Sequence, residues 1–343
     1  MIFKVYDSDR EYLGVIEPIN PKVEISLEAG SKSLSFALPL VKENIEMINE
    51  EGYIETSDYF YIIKEIEMDQ ASQFMVYCKP DIEDLTGTVL HVFDAIDSTC
   101  NECITQAIQQ ENLNWRLQFN VNYPNKVQYA LSKVTVLECL NQIKYDFELE
   151  YWFDTKQKRI DVYAAGGMGK KSGNVLMHEL RLAALNHRGE TYDFATILYP
   201  YGKKGLSIRD INNNKDYIVN HDYSDKDITA YYFNEDIEHA EELKREAEAY
   251  LKRISAPVST FRVKTTVLPP DLSIGDTIYV IDKLKRKKTT KRVVKMTKYL
   301  TQPEKDTVEL DNEVQNISKM FYQFQDDYRK NIRYIKENIS SLE

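Results

Sequence analysis

The stretch SKVTVLECLNQIKYDFELEYWFDTKQKRIDVY, residues 132–163, decides the fold because it contains a helix and two strands in succession. Thr135 and Glu138 have the spacing of a capping box, which marks the start of a helix. The predicted helix has one apolar face, formed by Val136, Leu140, Ile143 and Phe147. Alternating residues then predict a strand, and the polar run DTKQK turns the chain into a second strand. Helices packed on a sheet, an α+β domain, are therefore expected.

The first of these strands carries large side chains in alternation. One face is apolar and is formed by Phe147, Leu149, Tyr151 and Phe153. The other face carries Glu148, Glu150 and Trp152, so packing accounts for the first set and Trp152 is a candidate exposed partner contact. An upstream stretch, TVLHVFDAIDSTCNECITQAIQQENLNWRLQF, has similar features, and we interpret it as a helix that leads into an aromatic strand.

Strand patterns fill residues 1–85 and return in residues 175–204 and 256–312. In the first region apolar residues alternate on both sides of a turn around Gly30, which is typical of a hairpin. In the last region the Gly275-Asp276 turn opens the strand TIYVID. Strands with one apolar face form barrels or sandwiches. Each β region is therefore expected to form a barrel or a sandwich.

Two further helices complete the predicted architecture. Residues 234–254 form one helix, with Asn234 as its N-cap. Residues 313–343 form a C-terminal helix with apolar residues at nearly coiled-coil spacing. Its candidate subunit-interface residues are Ile317, Phe321, Phe324, Tyr328, Ile335, Ile339 and Leu342. The expected α+β, multidomain organisation is a first β region (1–85), an α+β domain (86–174 with 205–255), a second β region (175–204 with 256–312) and the C-terminal helix (313–343).

The glycine-rich segment AAGGMGKKSGN, residues 164–174, is predicted to be a flexible, exposed linker. It does not fit the phosphate-binding motif G-x-x-x-x-G-K-[ST], because Lys171 stands where a serine or threonine is required. The segment is therefore not expected to bind phosphate.

The basic run KLKRKKTTKR starts at Lys283 and has two interpretations. It could contact nucleic-acid phosphates. It could instead be a charged hairpin tip that keeps an edge strand soluble or docks on an acidic partner. No aromatic residue interleaves it, which favours the hairpin tip. The candidate exposed contacts are Lys285, Arg286, Lys287 and Lys288.

Composition narrows the class of protein. The chain of 343 residues has a formal net charge of −11, which argues against a general nucleic-acid binder. The N-terminus lacks the pattern of a signal peptide, and no apolar run reaches the roughly 18 residues that span a membrane. Cys100 and Cys103 form a C-x-x-C without two further soft ligands, so core or surface thiols are expected rather than a zinc site.

No catalytic constellation is recognisable. His178 and Glu179 begin like H-E-x-x-H, but Leu182 stands at the second histidine position, and no G-x-S-x-G occurs. A glycosidase pair cannot be recognised from sequence spacing. We predict a non-enzyme with no catalytic residue, no metal site and no cofactor.

Several segments occur in one order: KSLSFALP, TVLECLNQI, FELEYWFD, RIDVY, ILYPYGKKGL, and LSIGDTIYVID before a hairpin. Together they resemble the prophage endopeptidase tail family, whose members look like the baseplate hub (tail-tip hub) proteins of long-tailed phages. The resemblance covers nearly the whole chain. It implies a structural protein of the virion, located at the phage tail tip and made in the host cytoplasm without a signal peptide.

The resemblance also implies an assembly. Three chains would form a homotrimer, in which two tube-like β-barrels per chain build a ring that joins the six-fold tail tube to a three-fold tip. The ring would contribute to host attachment and DNA delivery. Implied partners are the tail tube or distal tail protein, the tape-measure protein and a downstream tip or receptor-binding protein. No membrane anchor and no specific nucleic acid are implied, since DNA only passes through the lumen.

Two alternatives stay open. Longer family members end in a cell-wall peptidase, but the matching His/Cys/Asp residues are not found here. A receptor- or carbohydrate-binding module would use Trp115, Trp152 and the tyrosines to stack on sugars. Aromatic residues in alternation on strands are more typical of a core, so the hub is preferred.

Overall fold

The computed structural model describes residues 1–68, 72–124, 126–177, 182–190, 194–234, 237, 239–255, 258–265, 269, 271–282 and 287–311. The chain divides into two compact units. The first unit contains the described residues of Met1–Leu185 and Arg262–Glu343, and the second unit is formed by those of Asn186–Phe261. The predicted helix at 313–343 and its interface residues lie outside the described residues.

The first unit begins with the β meander that the sequence predicts for residues 1–85. Its elements are β1 Phe3–Tyr6, β2 Tyr12–Ile16, β3 Ile19–Ser26, β4 Ser31–Pro39, α1 Lys42–Met47, β5 Tyr53–Glu55, β6 Phe60–Met68 and β7 Gln73–Pro80. All neighbouring pairs within it are antiparallel. The β3–β4 hairpin turns at Gly30, whose φ of 61° is a conformation that glycine adopts without strain.

The next elements form the α+β part that the sequence predicts. They are α2 Glu83–Gly87, β8 Val89–Thr99, α3 Cys100–Gln109, β9 Arg116–Phe119, β10 Lys126–Thr135, α4 Val136–Asp146, β11 Leu149–Asp154 and β12 Arg159–Ala164. The predicted capping box of α4 is present: Thr135 accepts from the Glu138 amide, and Glu138 accepts from the Thr135 amide. Thr99 and Glu102 form the same arrangement on α3.

One prediction for this part was wrong. The upstream stretch begins with strand β8 rather than a helix, because β8 pairs along most of its length with β10 and buries Leu90, Phe93 and Ala95. The chain therefore repeats a strand–helix–strand unit, with β8, α3 and β9 followed by β10, α4 and β11. Both helices pack on one core, where the Tyr151 hydroxyl donates to the Leu140 carbonyl at 3.0 Å.

The remaining strands of the first unit join the meander in one sheet. They are β13 Lys171–Met177, β14 Leu182–Glu190, β18 Val258–Thr265, β19 Thr277–Asp282, β20 Lys287–Tyr299 and β21 Thr307–Asp311, numbered in chain order with β15–β17 in the second unit, and a 3₁₀ turn lies at Pro303–Lys305. The thirteen strands follow the order β14-β18-β21-β20-β3-β4-β7-β6-β5-β1-β2, with β13 on β19 and β19 on β20.

The expectation of two separate closed barrels is therefore wrong. The later strands do not close on themselves, because β20 pairs with β3 and joins the two predicted barrels into one open sheet. The thirteen-residue β20 makes this possible: its first half pairs with β19, and its second half lies between β21 and β3. Alternation along a strand identifies its buried face but does not identify its neighbours.

The second unit is a small sheet covered by one helix. Its elements are β15 Ile197–Tyr201, 3₁₀ turns at Lys203–Gly205 and Arg209–Ile211, β16 Ile218–Val219, β17 Thr229–Phe233 and α5 Ala240–Ile254. The order is β16-β15-β17, with β17 parallel to β15. Leu198 packs with Leu243, Ala247 and Leu251 of α5 in its core. Helix α5 thus packs against β15 in this unit, and the division into domains made from the sequence stays a prediction.

Helix α5 begins later than predicted. Its N-cap is His239 rather than Asn234. The helix has 15 residues and carries charged side chains along its outer face. Among the helices described, none is long and apolar enough to cross a membrane.

The close approach at Gly30 leads to a testable prediction. A Cβ on Gly30 would lie 2.0 Å from the Tyr151 carbonyl oxygen, and the Phe153 amide donates to the Gly30 carbonyl at 2.7 Å. We expect Gly30→Ala to lower the free energy of unfolding by at least about 1–3 kcal/mol, from strain at positive φ and the clash. Urea unfolding followed by tryptophan fluorescence measures this, since Trp115 and Trp152 both lie in the α+β part.

Gly87→Ala is the matched control. Nothing lies within 4 Å of a Cβ at Gly87, so its effect should stay within about 0.5 kcal/mol. Equal losses for both variants would contradict the packing of the hairpin turn on β11.

Candidate interaction surfaces

A buried ion pair joins β11 to β20. The Arg292 guanidinium donates through Nη2 to Glu150 Oε2 at 2.8 Å and through Nη1 to Glu150 Oε1. It also donates to the carbonyls of Gly275 (2.9 Å) and Met168 (2.6 Å). Glu150 is 8% exposed and Arg292 is 3% exposed. The face of β11 that the sequence assigned to solvent is therefore covered at Glu150 by β20.

The glycine-rich segment is exposed at most of its positions, as the sequence predicts, but its backbone is fixed at this site by hydrogen bonds. The amides of Gly166 and Met168 donate to the Glu150 carboxylate at 3.0 and 3.1 Å, and the Lys170 amide donates to Asp276 at 2.8 Å. Met168 is buried, and a Cβ on Gly169 would lie 2.3 Å from the Gly275 carbonyl carbon. Backbone amides that could have bound a phosphate are thus engaged by protein carboxylates.

A second polar junction lies around Glu55 at the end of β5. Its carboxylate accepts from the Tyr6 hydroxyl at 2.6 Å, from Lys156 Nζ at 2.9 Å and from Lys4 Nζ at 3.2 Å. Burial raises the pKa of this carboxyl, but the three hydrogen bonds and the lysine charges outweigh that effect and lower the pKa to about 2. Lys156 follows β11, so Glu55 holds the meander against the α+β part.

The four cysteines are buried core residues without disulfides, as one of the sequence interpretations expects. Burial raises the pKa of Cys100 and Cys139 to about 12, and it raises the pKa of Cys78 and Cys103 as well. The thiolate that metal binding and nucleophilic attack require is therefore disfavoured. Within the described residues, no three His, Cys, Asp or Glu side chains are placed to hold a metal ion.

Trp152 is half-buried on β11, opposite Asp161 of β12. The Nζ of Lys32, on β4, lies 6.0 Å from the centre of its ring. The side chain is thus partly covered by the meander, and its role as a partner contact stays a prediction. Trp115 is buried, and its Nε1 donates to Asp84 at 2.9 Å, which accounts for it as a core residue.

The basic run lies on the predicted hairpin. Lys287 and Lys288 begin β20, where they pair with Asp282 and Ile281 of β19. Lys285 and Arg286 lie outside the described residues, and the roles of these four basic residues stay predictions. Lys291 and Arg292 do not belong to the tip: both are buried, and Arg292 is the ion-pair partner of Glu150.

The second unit carries a surface that the sequence analysis missed, here called the aromatic platform. The side chains of β15 and β17 alternate, so that Leu198 and Tyr232 face α5 while Tyr231 and Phe233 are 60% and 69% exposed. The platform consists of Tyr199, Tyr201, Tyr217, Tyr231 and Phe233. The alternation in ILYPY and TAYYF gives each strand two faces. If α5 had been placed on one face of this sheet, the alternation would have predicted an exposed aromatic surface on the other.

The first unit has an exposed apolar edge at β2. Tyr12, Leu13 and Val15 are 57%, 41% and 50% exposed. Strand β2 pairs with β1 on one side, and no described strand pairs with its other side. Unpaired backbone groups beside apolar side chains form a template for pairing with another chain.

Comparisons with known proteins agree with this architecture. Residues 170–321 match the model of the prophage endopeptidase tail family. The structure is similar to the prophage tail protein gp18 of Listeria monocytogenes, with a TM-score of 0.69 and 14% identity over 95% of this chain and 99% of that chain. It is also similar to the 43 kDa tail protein of prophage MuSo2 from Shewanella oneidensis (TM-score 0.68, 13% identity, 91% and 98% covered).

A tail protein of Neisseria meningitidis MC58 has a similar fold as well, with a TM-score of 0.63 and 10% identity over 91% of this chain and 96% of that chain. No curated protein sequence matches the chain. The fold is therefore that of prophage tail proteins. The resemblance to the prophage endopeptidase tail family, inferred from the order of its segments, is confirmed.

The buried pair leads to a prediction about stability. Glu150→Leu and Arg292→Met should each lower the free energy of unfolding by about 3–5 kcal/mol, because each leaves one charge buried without its partner. The double variant should lose much less than the sum of the two, since it leaves neither charge. Urea unfolding of the four proteins measures the coupling.

Lys295→Met provides the control on the same strand. Lys295 pairs with Glu24 at 3.3 Å, but its side chain is 41% exposed, so this variant should lose no more than about 1 kcal/mol. Additive losses in the cycle would argue against a coupled pair.

The low pKa of Glu55 gives a pH dependence of defined sign. The unfolded chain binds this proton near the ordinary value of about 4.3, whereas the folded chain binds it near a pKa of about 2. The stabilisation is present above the ordinary pKa and is lost as pH falls toward the folded one. Glu55→Gln should thus have a lower free energy of unfolding than the wild type at pH 6. The difference between the two proteins should become smaller between pH 5 and pH 3, as measured by urea unfolding.

Glu50→Gln changes an exposed carboxylate and serves as the control. Its stability difference from the wild type should stay small and nearly constant over this pH range. If the difference in free energy of unfolding between Glu55→Gln and the wild type does not change with pH, the low pKa of the Glu55 carboxyl is contradicted.

Proposed function

We propose that this chain is a structural baseplate-hub or tail-tip protein of a phage or prophage tail. The observation that carries the proposal is the shared fold, which extends over 95% of this chain and 99% of a prophage tail protein. The family match over residues 170–321 supports it independently of the fold comparison. On this proposal the protein is located in the virion, at the tip of the tail.

The proposed assembly is a homotrimer that forms a ring. The open edge of β2 supports it, because Tyr12, Leu13 and Val15 flank backbone groups that a strand of a second copy could pair with. Repetition of one such head-to-tail contact closes a ring when the rotation between copies fits. The predicted seam from Ile317 to Leu342 would add a second contact between copies.

The ring would adapt the six-fold tail tube to a three-fold tip and contribute to host attachment and DNA delivery. Its proposed partners are the tube or distal tail protein, the tape-measure protein and a downstream tip or receptor-binding protein. The role is proposed to be structural rather than catalytic. Satisfied carboxylates at Glu150 and Asp276 and buried thiols support this view, since these groups serve packing.

The experiment is a measurement of assembly state. Light scattering coupled to gel filtration, together with negative-stain imaging, should detect trimeric rings at high protein concentration. Val15→Lys places a charge on the β2 edge and should shift the protein toward monomer, because charged edge strands resist pairing. Its thermal midpoint should stay close to that of the wild type, since Val15 is 50% exposed.

Val219→Lys is the matched control, because Val219 is a strand valine of the second unit with 48% exposure. It should keep the wild-type assembly. A wild-type chain that stays monomeric at every concentration and forms no rings would overturn the ring proposal. Loss of assembly in both variants would show that the β2 edge is not the contact.

A further inference from the structure

The aromatic platform is a continuous series of rings on the outer face of the second unit. Centroids lie 5.4 Å apart for Tyr217 and Tyr199, 5.8 Å for Tyr199 and Tyr231, 6.3 Å for Tyr231 and Phe233, and 5.3 Å for Phe233 and Tyr201. The last two pairs have interplanar angles of 21° and 17°. Tyr231, Phe233 and Tyr201 thus share an orientation. In the register of β15 and β17, Tyr199 lies opposite Tyr231 and Tyr201 lies opposite Phe233, so the four strand rings form a two-by-two patch with Tyr217 beside it.

Folding of the second unit does not require these rings. Its core lies on the other face of the sheet, where Leu198 packs against α5. A solvent-facing strand position is ordinarily polar, but neither β15 nor β17 carries a charged side chain. Large aromatic residues grouped on a surface mark a binding site more often than chance exposure does.

A polar cleft continues from the platform at Tyr217. It has a volume of about 610 Å³, which suits a small ligand or one end of a longer one. Its lining includes Asn212, Asn213, Asn220, Asp222, Glu248 and Lys252, together with Tyr217 itself. Asn213 and Asn214 have φ angles of 51° and 65°, in the left-handed region that asparagine adopts more readily than most residues.

We propose that the platform and the cleft together bind a neutral, extended glycan chain, such as one with β-1,4-linked N-acetylhexosamine units. The faces of aromatic rings are electronegative and attract the C–H groups on the flat side of a sugar ring. The hydroxyl groups of a sugar both donate and accept hydrogen bonds, so they can pair with the amides and with the carboxylates of the cleft.

Charge distinguishes this ligand class from others. In the cleft, Lys215 and Lys252 are offset by Asp222 and Glu248, which gives no excess of positive charge for nucleic-acid phosphates or an anionic polymer. The side-chain amides of Asn212 and Asn220 already donate hydrogen bonds within the protein. The groups that glycan hydroxyls would match are therefore those of Asn213, Asp222 and Glu248. This inference concerns a ligand site of the second unit and does not rest on the proposed hub assembly.

Titration calorimetry with the full chain tests the site, using the soluble hexamer of β-1,4-linked N-acetylglucosamine as the probe. We expect binding, and we expect Tyr231→Ala and Phe233→Ala each to weaken it about tenfold or more. Both side chains are largely exposed, so both variants should keep the wild-type thermal midpoint. Asn213→Ala should weaken binding as well, through the cleft.

Tyr279→Ala is the matched control, because Tyr279 is an exposed strand tyrosine of the first unit, on β19. It should bind the hexamer like the wild type. The proposal is overturned if the wild type does not bind at millimolar hexamer, or if the platform variants bind unchanged. It is also overturned if Tyr231→Ala alters the assembly state while the wild type ignores the hexamer, since the platform would then be a protein interface.

Discussion

Removal of a guanidinium and a carboxylate from water costs several kcal/mol for each ion, and the cost is offset only if every donor and acceptor finds a partner. Arg292 and Glu150 meet this condition. Each nitrogen of the guanidinium donates to an oxygen, and the carboxylate also accepts two backbone amides. The pair joins positions 142 residues apart, so loss of either charge alone leaves the other buried without a partner where β11 meets β20. The α+β part and the large sheet of the first unit depend on this contact.

The same contact decides what the glycine-rich segment does. The Glu150 carboxylate accepts hydrogen bonds from the amides of Gly166 and Met168. The segment then lies so close to the backbone of Gly275 that no side chain fits at Gly169. Asp276 holds the Lys170 amide and the Ser273 amide in the same way. A segment whose composition indicates a loose linker is thus fixed by carboxylates from two distant parts of the chain. The glycines serve close backbone approach rather than flexibility or anion binding.

Local signals were sufficient to predict the elements themselves. The capping box at Thr135 and Glu138, the turn at Gly30 and the strand after Gly275-Asp276 depend on residues within a few positions of each other. The sheet order could not be predicted, because the pairing of Met296 with Ile25 brings together residues whose alternation would suit many neighbours. The burial of Glu150 was missed for a related reason. An acid on the face opposite the apolar one is ordinarily solvated, and only the charge of the distant Arg292 offsets the cost of removing this carboxylate from water. The platform was missed because β15 had been assigned to a different domain from β17 and α5, so the sheet that joins the two strands was not expected.

The two exposed surfaces differ in the chemistry they offer, and this difference argues for different occupants. At β2 the available groups are backbone amides and carbonyls along an edge, flanked by aliphatic and aromatic side chains, and such an edge is completed by another polypeptide strand. On the aromatic platform the available groups are ring faces beside amides and carboxylates, which need no backbone from the ligand. The residues of the β2 edge and those of the aromatic platform belong to different units, so each surface can be altered by substitution without changing the residues of the other. The chain can therefore use the β2 edge for contact with its own copies and the aromatic platform for a ligand.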